Sequence, residues 1–169
     1  MKKIIALSIL ALGFTTYANA QATASADASA TIIAPIDISM AANMDFGNVA
    51  VNASNGTVLL DPITGTRTAG GGVTLPASAG TVSLAKFDVT GEAGFTYDIT
   101  LPASAITLED ATNTYSMTVD NFTSNPGTSG ILTAGYQLLK VGATLNVNGS
   151  QAPGVYTSTA PFDVTVNYN

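Results

Sequence analysis

The chain contains no histidine and no cysteine, so the side chains left for chemistry are carboxylates, hydroxyls and amides. Histidine-based triads, thiolate nucleophiles and zinc held by His or Cys are excluded outright. Two carboxylate arrangements remain. Asp88 and Asp98 flank Gly91-Glu92-Ala93-Gly94, and a hairpin there would bring them face to face. A glycosidase needs two carboxylates across a sugar-sized cleft. Both aspartates, however, fall opposite the apolar stripes Phe87, Val89 and Tyr97, Ile99, which makes them solvated surface residues. Glu109, Asp110 and Asn113 gather oxygen ligands on one loop and are the best candidates for a Ca²⁺-binding turn. Their spacing matches no EF-hand loop, and an Asx-rich turn between strands explains the same residues at lower cost. No catalytic, cofactor-binding or metal-ligating residue is assigned. The expectation is a protein that is not an enzyme and carries no cofactor.

Charge narrows the partners. Residues 21–169 hold three basic side chains, Arg67, Lys86 and Lys140, against eleven acidic ones. So few cations cannot neutralise a phosphate backbone, which argues against nucleic acid. Only 9% of the residues are charged. A low-charge composition rich in Thr, Ser, Asn, Ala and Gly fits an exported all-β protein.

The elements that would position any site begin after a leader. Lys2 and Lys3 precede the apolar run Ile4–Phe14, and Ala18-Asn19-Ala20 follows. A basic start, a short apolar stretch and an A-x-A exit describe a Sec-type signal peptide over residues 1–20. The run is too short for a membrane anchor, and no membrane-spanning segment is expected in the mature chain. Export to the periplasm, cell surface or medium follows. Residues 21–33 then alternate, with Ala24, Ala26, Ala28, Ala30 and Ile32 on one side and Thr or Ser or Asp between. The period is that of a strand, but alanine is a poor strand former. Two readings stay open: a strand that inserts into a groove, or a low-complexity tail.

Residues 34–169 read as a single domain of short strands. Alternating segments occur at 36–40, 44–49, 57–60, 73–75, 85–90, 95–101, 106–108, 115–119, 131–141, 143–147 and 154–158. Asn55-Gly56 and Asn148-Gly149 are tight-turn dipeptides, Asp61-Pro62 turns the chain, and Gly-rich 64–72 suits a mobile hairpin end or linker. The segments 85–90 and 95–101 look like two arms of one hairpin. The clearest strand is the last: Phe162, Val164, Val166 and Tyr168 alternate with Asp163, Thr165, Asn167 and Asn169. It runs to the final residue, and the other strands are expected to be organised around it. With no amphipathic helix after the leader, the pattern predicts an all-β, antiparallel Ig-like or pilin-like β-sandwich of about 8–10 short strands.

Several stretches carry a specific resemblance. Ala30–Ile36, Met44-Asp45-Phe46-Gly47, Thr57–Pro62, Phe87–Gly91, Ile99–Pro102, Val141–Leu145, Gly154-Val155-Tyr156 and Val164–Tyr168 resemble the bacterial domain of unknown function 4402 family. That resemblance implies an exported β-sandwich and brings no activity with it. A weaker similarity reaches to fimbrial subunits of the chaperone–usher type. There a glycine and a penultimate tyrosine bracket the final strand, and an alternating N-terminal extension fills the groove of the next subunit. Gly154, Tyr168 and residues 21–33 resemble those three parts, while the pilin disulfide is missing. This similarity implies assembly residues (Gly154, Tyr156, Phe162, Val164, Val166, Tyr168 and the small side of the extension) and, as partners, a second copy or other strand donor, a chaperone and an usher. The first reading is therefore a non-catalytic structural or adhesive surface subunit. The alternative is a stand-alone secreted module that binds a glycan or a protein. A small outer-membrane barrel comes third, because its strands need about ten residues each and aromatic girdles.

Overall fold

The computed structural model describes residues 21–169; the leader expected over residues 1–20 lies outside them. The chain divides between Ile32 and Ile33 into two units. Within the first, residues 21–32 form no strand and are exposed. The strand period of the alanines is thus not realised as a strand, in keeping with side chains too small to bury much apolar area.

The second unit, Ile33–Asn169, is an all-β fold of eleven antiparallel strands in a curled, sandwich-like arrangement. They are β1 (Asp37–Ala42), β2 (Ala50–Leu60), β3 (Arg67–Thr74), β4 (Ala85–Thr90), β5 (Thr96–Thr100), β6 (Ile106–Asp110), β7 (Ser116–Asn125), β8 (Ser129–Ile131), β9 (Tyr136–Val147), β10 (Tyr156–Ser158) and β11 (Thr165–Tyr168). One sheet runs β1-β4-β9-β7-β6-β10, with β2 and β3 attached through β9. The other runs β11-β5-β8. No helix among the described residues is long and apolar enough to cross a membrane.

The organising strand is β9 rather than the last one. On one side it pairs with β4 over Tyr136–Val141 and with β2 over Thr144–Val147. On its other side it pairs with β7 across both halves. Leu139, Val141, Ala143, Leu145 and Val147 all point inward and are buried, so one strict alternation feeds two core clusters. The first joins Val89, Tyr97, Ile99, Leu132, Leu139, Val141 and Val166. The second joins Val58, Val73, Met117, Val119, Ala143, Leu145 and Val147, and Met44 and Phe122 pack against both. Gly142 sits at the joint between the halves. A Cβ there would collide with the carbonyl oxygen of Leu60, and opposite it the ladder with β7 shifts register between Asp120 and Thr123. A missing side chain lets β2 close over β9 where the sheet bends.

Four local expectations are corrected. The segments around Gly91–Gly94 do not form a hairpin, since β4 pairs with β1 and β9 while β5 pairs with β11 and β8. Val89, Tyr97 and Ile99 are buried in one cluster, so the two strands face each other across the core and the loop is an arch between sheets. Asn55-Gly56 lies inside β2, at a register shift against β3, and is not a turn. The Gly-rich segment is the strand β3. Side chains at Gly56 and Gly72 would strike the backbone of the partner strand, so glycine here permits close pairing rather than looseness. Met44–Val49, expected as a strand, contributes only a single bridge between Asp45 and Ser83.

Candidate functional site

The final strand presents the alternation read from its residues. Val166 is buried, Phe162, Val164 and Tyr168 are half-buried, and Asp163, Thr165, Asn167 and Asn169 are exposed. Phe162 packs against Phe122 and Phe87, with ring centroids 5.0 and 6.4 Å away. Tyr168 meets Phe95 edge-on at 5.7 Å. Among the described residues strand β11 pairs only with β5, through Thr165↔Thr100 to Tyr168↔Tyr97. Asn169 N–H donates to Thr96 O, so in this ladder the odd-numbered residues bond to β5. The backbone N–H and C=O groups of Val166 and Tyr168 therefore point away from it. Strand β1 likewise pairs on one side only among the described residues, with β4, and its Ile38 packs on the same core cluster as Val164 and Val166. Two sheets thus end in one-sided strands over a shared core.

One residue locks this corner. The Tyr168 hydroxyl accepts a hydrogen bond from Glu92 N–H at 2.6 Å and donates one to Ala34 O at 2.9 Å. The Glu92 carboxylate in turn accepts from Ala34 N–H at 2.9 Å. Both backbone groups of Ala34 are held. Gly91 is required beside it, because a Cβ would collide with the Tyr168 hydroxyl and press on Leu132.

The remaining sequence candidates separate. Gly154 precedes β10, which pairs with β6 in the larger sheet, whereas Tyr168 ends β11 in the smaller one. The pair therefore does not bracket a single strand. Tyr156 packs against the second core cluster and donates its hydroxyl to Ala152 O at 2.7 Å, a structural use. Ala24, Ala26, Ala28, Ala30 and Ile32 are exposed.

Asp88 and Asp98 lie on strands of different sheets, and Asp88 accepts the Tyr136 hydroxyl at 2.7 Å, which raises the Tyr136 pKa. In the turn 109–113, Asp110 accepts from the Thr112 hydroxyl and from the N–H groups of Thr112, Thr114 and Tyr115. The Thr112 hydroxyl and the Tyr115 amide foremost hold its carboxyl down to about 2. Both oxygens serve the turn between β6 and β7, as an Asx-type loop does. Asp61 is lowered in the same way, by the N–H groups of Thr64 and Ile63. These shifts run opposite to what a general acid needs. Among the described residues no group of three acidic side chains is placed to hold a metal ion. Two features escaped the sequence: the Tyr168–Glu92–Ala34 lock, and Lys86 lying opposite Lys140.

Against known proteins, the model of a family described as "Domain of unknown function (DUF4402)" matches residues 36–168. No curated protein and no solved structure matches the chain.

Proposed function

The chain belongs to the DUF4402 family, and from that premise we propose that it is an exported, non-catalytic surface protein that self-associates by strand exchange. Its leader pattern, Lys2-Lys3 followed by an apolar run and Ala18-Asn19-Ala20, supports export. The observation that carries the reading is the one-sided pairing of β11, whose free backbone groups at Val166 and Tyr168 border a half-buried apolar row. An open edge of this kind accepts a strand whose backbone supplies hydrogen bonds and whose alternate side chains supply fit. The alternating segment 21–33 of a second copy is the donor. Its alanines would fill a shallow groove only, so each junction is weaker than one made with large aliphatic residues.

The test deletes residues 21–33 and measures molecular mass over a range of protein concentrations. Loss of oligomers with an intact, cooperatively melting monomer is the expected result. A companion variant appends residues 21–33 after Asn169 through a flexible linker, which supplies the strand in cis; a monomer of raised Tm is expected. Wild-type protein that stays monomeric at every concentration, with a cis variant no more stable than its parent, would overturn the proposal in favour of a stand-alone binding module. The barrel reading gains no support, because among the described residues both sheets end in strands paired on one side only.

A further inference from the structure

Lys86 on β4 and Lys140 on β9 stand directly opposite each other in the ladder. They are two of the three basic residues in 21–169. The third, Arg67, is tied to the carbonyls of Phe46 and Asn48 at 2.6 and 2.9 Å. Like charges opposite one another on neighbouring strands repel. Lysines on edge strands block unwanted pairing, but β4 lies between β1 and β9, and β9 between β4 and β7. Edge protection therefore does not explain this pair.

The acidic groups of the surrounding segments are engaged elsewhere. Asp88 accepts the Tyr136 hydroxyl, Asp61 accepts the N–H groups of Ile63 and Thr64, and Asp45 accepts Gly47 N–H. Both lysines border a depression of about 260 Å³, walled by Ile63, Thr64 and Gly65 of the turn after β2 and by Val82, Ser83 and Leu84. It is lined by the only lysines of an acidic domain, two hydroxyl side chains and one exposed apolar residue.

We infer that this depression binds the anionic group of an acidic saccharide, a uronate carboxylate or a sulfate ester, between the two ammonium groups. Each ammonium offers three donors and no acceptor, so an oxyanion bridging them removes the repulsion and gains charge-assisted hydrogen bonds. The space exceeds what a bare five-atom oxyanion fills and suits an anion carried on one sugar ring. Ser83, whose hydroxyl donates to Asn43 O at 2.6 Å, keeps its oxygen as an acceptor for a sugar hydroxyl, the Thr64 hydroxyl is bonded to that of Thr66, and the exposed Ile63 offers an apolar rim for a ring face. The site is half-exposed, so its affinity falls with salt. This inference stands independently of strand exchange.

The test titrates the protein with an oligogalacturonate, a sulfated oligosaccharide, a neutral oligosaccharide of equal length and inorganic sulfate, following NMR shifts at Lys86 and Lys140 and the Tm. Saturable binding of one of the acidic sugars, absent for the neutral one, is expected, and the first two arms tell carboxylate from sulfate ester. Lys86→Gln and Lys140→Gln should each weaken it about tenfold or more, while the double Lys→Arg variant retains it. Both Lys→Gln proteins should melt no lower than the parent when free of ligand, which separates lost binding from lost folding. Equal binding of all oligosaccharides, binding indifferent to the Lys→Gln changes, or no saturable binding of either acidic sugar would overturn the inference. Inorganic sulfate matching the acidic sugars would reduce the site to an adventitious ion only, and would overturn it as well.

Discussion

The hydroxyl of Tyr168 joins three segments that lie far apart in the chain: Ala34, the arch at Glu92 and the end of β11. Tyr168→Phe removes only that oxygen and leaves Glu92 N–H without its partner. We predict a loss of about 1–3 kcal/mol in urea unfolding, with faster amide exchange at Ala34 and Glu92 and little change elsewhere. Asp110 supports a second prediction. Its carboxyl is held at about 2, below the ordinary aspartate value of 3.8. A depressed carboxyl stabilises the fold above the unfolded pKa, and that stabilisation is lost as pH falls through the folded value. Asp110→Ala should therefore lower Tm at pH 7, the difference shrinking below pH 3.8 and vanishing near pH 2. At this scale the sequence was legible where a rule is local: Asp61 and Asp110 cap their own turns, and Phe162 to Tyr168 alternate as read. The Tyr168 lock was not, because its partners are 76 and 134 positions away and no local pattern marks them.

Among the elements, β9 carries the most. Gly142 lets the end of β2 cross the bend between its two halves, and a Cβ there meets the Leu60 carbonyl. Gly142→Ala should destabilise by about 1–3 kcal/mol, as overpacking does, measured by thermal and urea melts. Val166 is 7% exposed within the first cluster, so Val166→Asp would bury a charge without a partner and should cost several kcal/mol. An unchanged Tm would contradict the inward face assigned to β11. The identity of most strands was readable from period-two alternation, as in Ala85–Thr90 and Thr96–Thr100. Their pairing was not. Alternation fixes which side chains point inward and leaves open whether two apolar stripes lie side by side or face to face, and the Gly91–Gly94 arch took the second arrangement. Glycine misled in the same way at Gly56 and Gly70–Gly72, where it admits a close-packed strand rather than a turn.

On the scale of the whole molecule, the fold leaves two one-sided strands, β1 and β11, over one core cluster. Concentration-dependent mass, abolished when residues 21–33 are deleted, is the expected behaviour of the chain. Export gives a separate expectation. The mature protein recovered from outside the cytoplasm should begin at Gln21, read by N-terminal sequencing; protein beginning at Met1 would contradict the leader. Fold class was legible here because period-two alternation recurs along residues 34–169 with no amphipathic helix among them. The candidate site was legible only in part. Its apolar row was written in the last strand, while the open edge is a property of topology.

Ala34 is gripped at both its N–H and its C=O, by groups from the arch and from the last strand. Tension applied to the backbone upstream of it would therefore not peel β1 from β4 one bond at a time. The load first meets the Glu92 and Tyr168 contacts, which pass it to β11 and hence to the smaller sheet, so that both sheets bear it together. The corner behaves as a mechanical fuse, and in single-molecule pulling from Ile33 the Tyr168→Phe chain should yield at lower force than the parent.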